Sequence, residues 1–172
     1  MKKVLSIFLA TVLCFCMVAC GGEKPAETPV ETPVETNDNY TQIGTSAYSV
    51  ILPEGYAEGE DEFDEDQIAY YFKDDQSVDF DVYQWDKDGK YTLAEEAEFY
   101  ANEYGVTAEA VEINGISGMK YTTKEIYEES EYTVANYMFE DEKSIIELCF
   151  WTVDTEEEYK AIEEILGTLK KN

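Results

Sequence analysis

The residues of this chain whose types and spacing could do chemistry are carboxylates and aromatics. Asp86-Lys87-Asp88-Gly89-Lys90-Tyr91-Thr92-Leu93-Ala94-Glu95 matches part of a calcium loop. With Gly89 at the sixth place, Asp86 falls at the third, Asp88 at the fifth and Glu95 at the twelfth, where such loops carry oxygen ligands. The first place, ordinarily Asp, is Gln84, and the segment entering the loop has a strand pattern rather than a helical one. Glu95 also stands three residues after Thr92, the spacing of a capping box. Asp86, Asp88 and Glu95 are therefore candidate metal ligands, with a strand-to-helix turn as the alternative. Glu54 to Asp66 is a second concentration of oxygens, with eight acidic residues in thirteen; it reads as an acidic loop suited to a cation or a basic partner. The aromatic candidates are Tyr83 and Trp85, which share a strand face with Asp79 and Asp81. They are expected to reach solvent as a ligand platform, the alternative being that they fill a sheet–helix interface.

Other chemistries are excluded or unsupported. The sequence has no His and no Arg, so neither a Ser-His-Asp nor a Cys-His arrangement can be built, and zinc lacks its usual nitrogen ligands. There is no phosphate-binding P-loop and no GxGxxG, and no cofactor is expected. A carboxylate pair of the glycosidase kind has no distinguishing signal among 39 acidic residues. Cys149, in an apolar run, reads as a small buried hydrophobe rather than a reactive thiolate. The formal charge is −27, which disfavours nucleic acid and anionic headgroups and leaves cations and basic proteins as the partners that charge can attract.

The elements that would position these residues follow from periodicity. Tyr48 to Leu52 reads as a strand stopped by Pro53, Gln67 to Lys73 as another. Ser77 to Trp85 is the clearest, with Val78, Phe80 and Val82 alternating against Asp79, Asp81 and Tyr83. A helix opens at Thr92 and closes near Gly105. Ala110 to Ile113, Ile116 to Tyr127, Tyr132 to Phe139 and Ser144 to Thr152 read as strands, the first two joined by the tight-turn pair Asn114-Gly115 and the last three as antiparallel neighbours. A final helix starts at Asp154 or Thr155, with the stripe Tyr159, Ile162, Ile165, Leu166 and Leu169 and with Lys170 and Lys171 in its last turn. The fold class is α+β: an antiparallel sheet with two helices packed on it. A monomeric domain is expected over residues 40–172.

The N-terminus reads differently. Lys2 and Lys3 precede an apolar stretch, Val4 to Val18, too short to span a bilayer. Met17-Val18-Ala19-Cys20, followed by Gly21-Gly22, resembles the lipobox of bacterial lipoproteins. That resemblance implies a signal peptide over residues 1–19. Cys20 then becomes the mature N-terminus, an S-diacylglycerol cysteine commonly acylated with palmitate on its amine. Residues 20–39, with the repeat Glu27-Thr28-Pro29-Val30, Glu31-Thr32-Pro33-Val34, are Pro-spaced and acidic. They read as a disordered tether that reaches on the order of 60 Å at ~3.1 Å per residue.

The domain itself resembles the Mog1/PsbP-like family. The residues that carry the likeness are Tyr48-Ser-Val-Ile-Leu-Pro-Glu-Gly-Tyr56, the helix opening Thr92-Leu93-Ala94-Glu95-Glu96, Val111-x-Ile113-x-Gly115-x-x-Gly118, and Ile162-x-x-Ile165-Leu166-x-x-Leu169. The resemblance implies an α/β/α sandwich and a non-enzymatic role, and transfers no binding residue. The expectation is a lipid-anchored lipoprotein on the extracytoplasmic face of the cell membrane, acting as an accessory or binding module. The alternatives are a Ca²⁺- or cation-responsive module and a carboxylate-based envelope hydrolase.

Overall fold

Alternating apolar residues build a seven-stranded antiparallel sheet whose two faces are covered by different material. The computed structural model describes residues 40–43, 47–59, 65–74 and 78–172, all within one compact unit, Thr36–Asn172. Cys20, the signal segment and the tether lie outside the described residues, as do residues 60–64 of the acidic stretch. The elements are β1 (Tyr40–Ile43), β2 (Tyr48–Ile51), β3 (Tyr56–Glu58), β4 (Gln67–Lys73), β5 (Phe80–Asp86), α1 (Leu93–Glu103), β6 (Glu109–Ile113), β7 (Ile116–Tyr127), β8 (Ser130–Glu140), β9 (Ser144–Phe150), α2 (Glu156–Leu166) and β10 (Lys170–Lys171). The large sheet has the order β3-β4-β5-β9-β8-β7-β6, and a small sheet has the order β1-β2-β10. The architecture is the expected α+β one.

The strand period of two divides the core. On one face Phe80 and Val82 of β5, Ala135, Tyr137 and Phe139 of β8, and Ile146, Leu148 and Phe150 of β9 pack against Ile162, Ile165 and Leu166 of α2 and Tyr48 and Val50 of β2. The rings of Tyr71, Phe80, Phe150 and Tyr137 form a chain across this face, with successive centroids 5.0, 5.0 and 5.8 Å apart. Such contacts add to burial through ring-edge electrostatics. Gly118 fits beneath the same layer: a Cβ there would stand 2.7 Å from the Met138 carbonyl and from the Phe139 ring, so any larger residue pushes β7 off β8.

The opposite face carries α1. Ala97 and Ala101, one turn apart and fully buried, let the helix approach closely enough to touch Tyr121, Met138 and Ile145. Both helices open with complete capping boxes, Thr92 with Glu95 and Thr155 with Glu158, which satisfy backbone N–H groups the helix itself leaves free.

Several features differ from the sequence expectation, among them an unexpected strand β1 at Tyr40–Ile43 paired with β2 and a β8 that starts at Ser130 rather than Tyr132. Lys170 and Lys171 are not in the last turn of α2, which ends at Leu166; they form β10 and pair with Ser49 and Tyr48 of β2. Within the acidic stretch Glu54–Asp66, Tyr56–Glu58 is a strand, held as the sheet edge by pairing with Tyr71–Lys73 of β4. The β5 strand starts at Phe80, later than expected. β10 and β3 come from pairing with another segment, which overrides local pattern.

Candidate functional site

The α1 face of the large sheet is only partly covered. The helix packs over β7, β8 and the start of β9, and beside it a cleft of about 320 Å³ opens over β5 and β9. Its floor comes from same-face residues of four strands: Tyr83 and Trp85 of β5, Glu147 and Cys149 of β9, Asn136 of β8, and Tyr121 and Glu125 of β7. Period-two geometry explains the grouping, since Tyr83 is in register with Glu147, and Tyr121 with Asn136 and then Cys149. Tyr100, Glu103 and Tyr104 from α1 form one wall, and Trp151 and Asp66 complete the rim.

The electrostatics are unusual for so acidic a chain. Glu147 is 7% exposed, and burial, reinforced by the nearby Glu125 carboxylate, pushes its pKa up to about 7 against the opposing bond from Tyr121. Glu125 is also raised, chiefly by burial. Beside the cleft, Asp81 is raised to about 6 by burial, although its carboxylate accepts bonds from Trp151 Nε1 at 2.5 Å and Gln67 Nε2 at 2.7 Å. Burial penalises the charged form, so all three acids are raised and Glu147 holds its proton up to about pH 7. Burial likewise raises the Cys149 thiol well above its ordinary value, which leaves it protonated and a poor nucleophile.

The candidates from the sequence sort themselves against this site. Tyr83 and Trp85 both line the cleft, but they are half-buried rather than solvent-facing. The Trp85 ring packs edge-on against Tyr100 of α1 at 5.7 Å, and Asp81 on the same strand face is only 6% exposed. That face is the one α1 approaches, which is why the two rings are partly covered. Asp86, Asp88 and Glu95 are not gathered into a centre. Asp88 bonds Lys90 through both backbone N–H and ammonium, each at 2.7 Å. Glu95 Oε2 accepts from the Thr92 backbone N–H and hydroxyl, both at 2.9 Å. Among the described residues no group of three or more His, Cys, Asp or Glu is placed to hold a metal ion. Sequence reasoning missed Glu147, Glu125 and Tyr121. The available signal was Glu147 itself, the single acid within the otherwise apolar run Ile145 to Phe150.

No helix among the described residues is long and apolar enough to cross a membrane. No family model matches the sequence, and no curated protein does. Solved structures do. Cyanobacterial PsbP (CyanoP) from Synechocystis sp. PCC 6803 superposes with a TM-score of 0.56 at 9% identity, over 84% of this chain and 100% of that one. A protein of Bacteroides thetaiotaomicron VPI-5482 gives 0.53 at 18% identity over 73% of this chain; the match spans only 45% of its length. LpqN, involved in cell envelope biogenesis of Mycobacterium tuberculosis, gives 0.49 at 11% identity, over 77% of this chain and 89% of that one. At such identities the likeness is one of architecture, and the architecture of this chain is the PsbP-like α+β fold.

Proposed function

We propose that this protein is a lipid-anchored, extracytoplasmic binding module. Cys20 carries the anchor, residues 20–39 form the tether, and the domain offers the cleft beside α1 to a ligand. The observation that carries the binding half is the cleft itself, an opening of about 320 Å³ that brings Tyr and Trp rings together with buried carboxylates; a wider hollow of about 760 Å³ on the other side of α1, lined by Tyr91, Phe99 and Met119, has no such buried acid. A non-catalytic role is supported by the chemistry of the walls: the only thiol there is buried and protonated, and the chain has no His to activate a nucleophile. The lipid half is supported by the lipobox resemblance at Met17–Cys20.

One observation favours a second reading. Glu125 and Glu147 share the cleft and both have raised pKa values, as an acid-catalysed hydrolase requires of its proton donor. Binding without turnover separates the two readings.

Two measurements test the proposal. Wild type should co-fractionate with membranes and incorporate labelled palmitate, and Cys20→Ser should abolish both; an unlabelled, freely released wild-type protein overturns the anchor. Full chain used as bait on envelope extract should retain a component that Glu103→Lys, at the exposed rim of the cleft, loses. Equal retention by both overturns the cleft as the site, and cleavage of the retained component favours the hydrolase.

A further inference from the structure

We infer that the cleft beside α1 receives a small organic cation, a methylated ammonium group that carries an oxygen, recognised by the aromatic rings of Trp85, Tyr100 and Trp151 and by the carboxylates of Glu125 and Glu147. This deepens the reading of the cleft as the ligand site and rests on it.

The first argument is an uncompensated acid. Lysines elsewhere pair with carboxylates: Lys87 with Glu140 at 2.5 Å, and Lys124 with Glu131 and Asp154. Among the described residues no lysine pairs with Glu147, and none lines the cleft. The groups that set the state of Glu147 are its hydrogen-bond donor Tyr121 and a second acid, Glu125. A buried carboxylate without a counter-charge holds a proton or waits for a cation. Glu147 lines the cleft while keeping only 7% of its surface exposed, so a cation seated in the cleft lies against it at short range.

The second argument is independent of charge. The Nε1 of Trp85, a wall residue, is buried and has no hydrogen-bond partner among the described residues. Buried indole N–H groups ordinarily find an acceptor, and a small turn of the Trp85 ring toward the cleft it lines would bring this one to a ligand oxygen. Aromatic faces attract cations through the ring quadrupole, most strongly at Trp, and quaternary ammonium groups are the ligands that aromatic enclosures of this kind take. A metal ion fits poorly here. Calcium needs six to eight oxygens, and although Asp66, Glu103, Glu125 and Glu147 line the cleft, among the described residues no three acids are placed to hold one ion.

Choline and its uncharged isostere 3,3-dimethyl-1-butanol make the test direct. The chain has two Trp, and both line the cleft, so the two indole N–H resonances of the full chain report on the site. At matched ionic strength choline should shift both resonances saturably. The isostere should bind at least tenfold more weakly, and so should choline to Glu147→Gln and to Glu125→Gln. Equal binding of choline and isostere, unmoved indole resonances, or undiminished affinity in both variants overturns the inference. If choline fails while the capture sensitive to Glu103→Lys persists, the cleft binds something of other chemistry and only this inference falls. If both fail, the cleft is not a ligand site.

Discussion

The Tyr121 hydroxyl donates a 2.5 Å hydrogen bond to Glu147 Oε1, reaching across β8 on the face beneath α1. Both groups are nearly inaccessible, at 6% and 7% exposure. Burial and the adjacent carboxylate push the tyrosine pKa far above its ordinary value, so Tyr121 remains a donor at any physiological pH. Glu147 is thereby oriented at the cleft floor in either protonation state, and the cost of ionising it is carried by the fold.

That cost has a sign and a window. The folded state holds the Glu147 proton up to about pH 7, whereas the ordinary value is 4.5. Between those values the folded chain binds a proton that the unfolded chain has lost, so stability falls as pH rises. The contribution is fully present below about pH 4.5 and gone above about pH 7, on the order of 3 kcal/mol for a shift of this size. Asp81, raised to about 6, acts in the same direction. Urea midpoints should therefore be higher at pH 5 than at pH 8. Glu147→Gln should remove most of that difference, and Tyr121→Phe should move the fall to higher pH by deleting the bond that favours the carboxylate. Parallel profiles for wild type and Glu147→Gln would show that the fold does not carry this cost.

What the sequence made legible was local chemistry. The Thr92–Glu95 capping box, the Asn114-Gly115 turn and the alternation of Phe80, Val82 and their neighbours declare themselves within a few residues, whereas the Thr155–Glu158 box was found only in the structure. β10 does not, because two lysines become a strand only when Ser49 and Tyr48 lie alongside. The cleft was half visible. Tyr83 and Trp85 lie on the right face, but whether a sheet face meets water depends on where the helix lands, and Ala97 and Ala101 set that distance only once the sheet exists. Glu147 went unread, although it is an acid among Ile, Leu and Phe, because its meaning depends on Tyr121 from another strand.

Asn114 joins two parts of the fold with one side chain. Its backbone is left-handed, φ 53°, as the β6–β7 turn requires. Its Nδ2 donates to the carbonyls of Gly167 at 2.8 Å and Leu169 at 3.0 Å, just past the end of α2. Carbonyls at a helix C-terminus lack intrahelical partners, so the turn residue closes the helix. Asn114→Gly keeps the backbone conformation and deletes the bonds, and should cost about 1–2 kcal/mol. Asn114→Ala adds the left-handed penalty, about 1 kcal/mol more. Denaturant midpoints for the pair separate the two contributions, and a midpoint for Asn114→Gly equal to wild type would show the helix end is satisfied without it.

The β7–β8 hairpin closes at Tyr127 and Ser130 around Glu128 and Glu129, and both central residues have positive φ, 47° and 70°. This is the same two-residue turn geometry that Asn114-Gly115 achieves with favoured residues. For an ordinary L side chain the left-handed conformation costs about 1–2 kcal/mol per residue. Glu128 and Glu129 also place two negative charges beside Glu125 and Glu131. The strain persists because β7 and β8 pair along nine registered positions and over-determine the turn. Replacing the pair as Glu128→Asn with Glu129→Gly should raise stability by about 1–2 kcal/mol. Glu128→Gln with Glu129→Gln removes the charges and keeps the strain, so it should gain less. If the two double variants stabilise equally in thermal melts at matched ionic strength, repulsion rather than backbone conformation is what this turn costs.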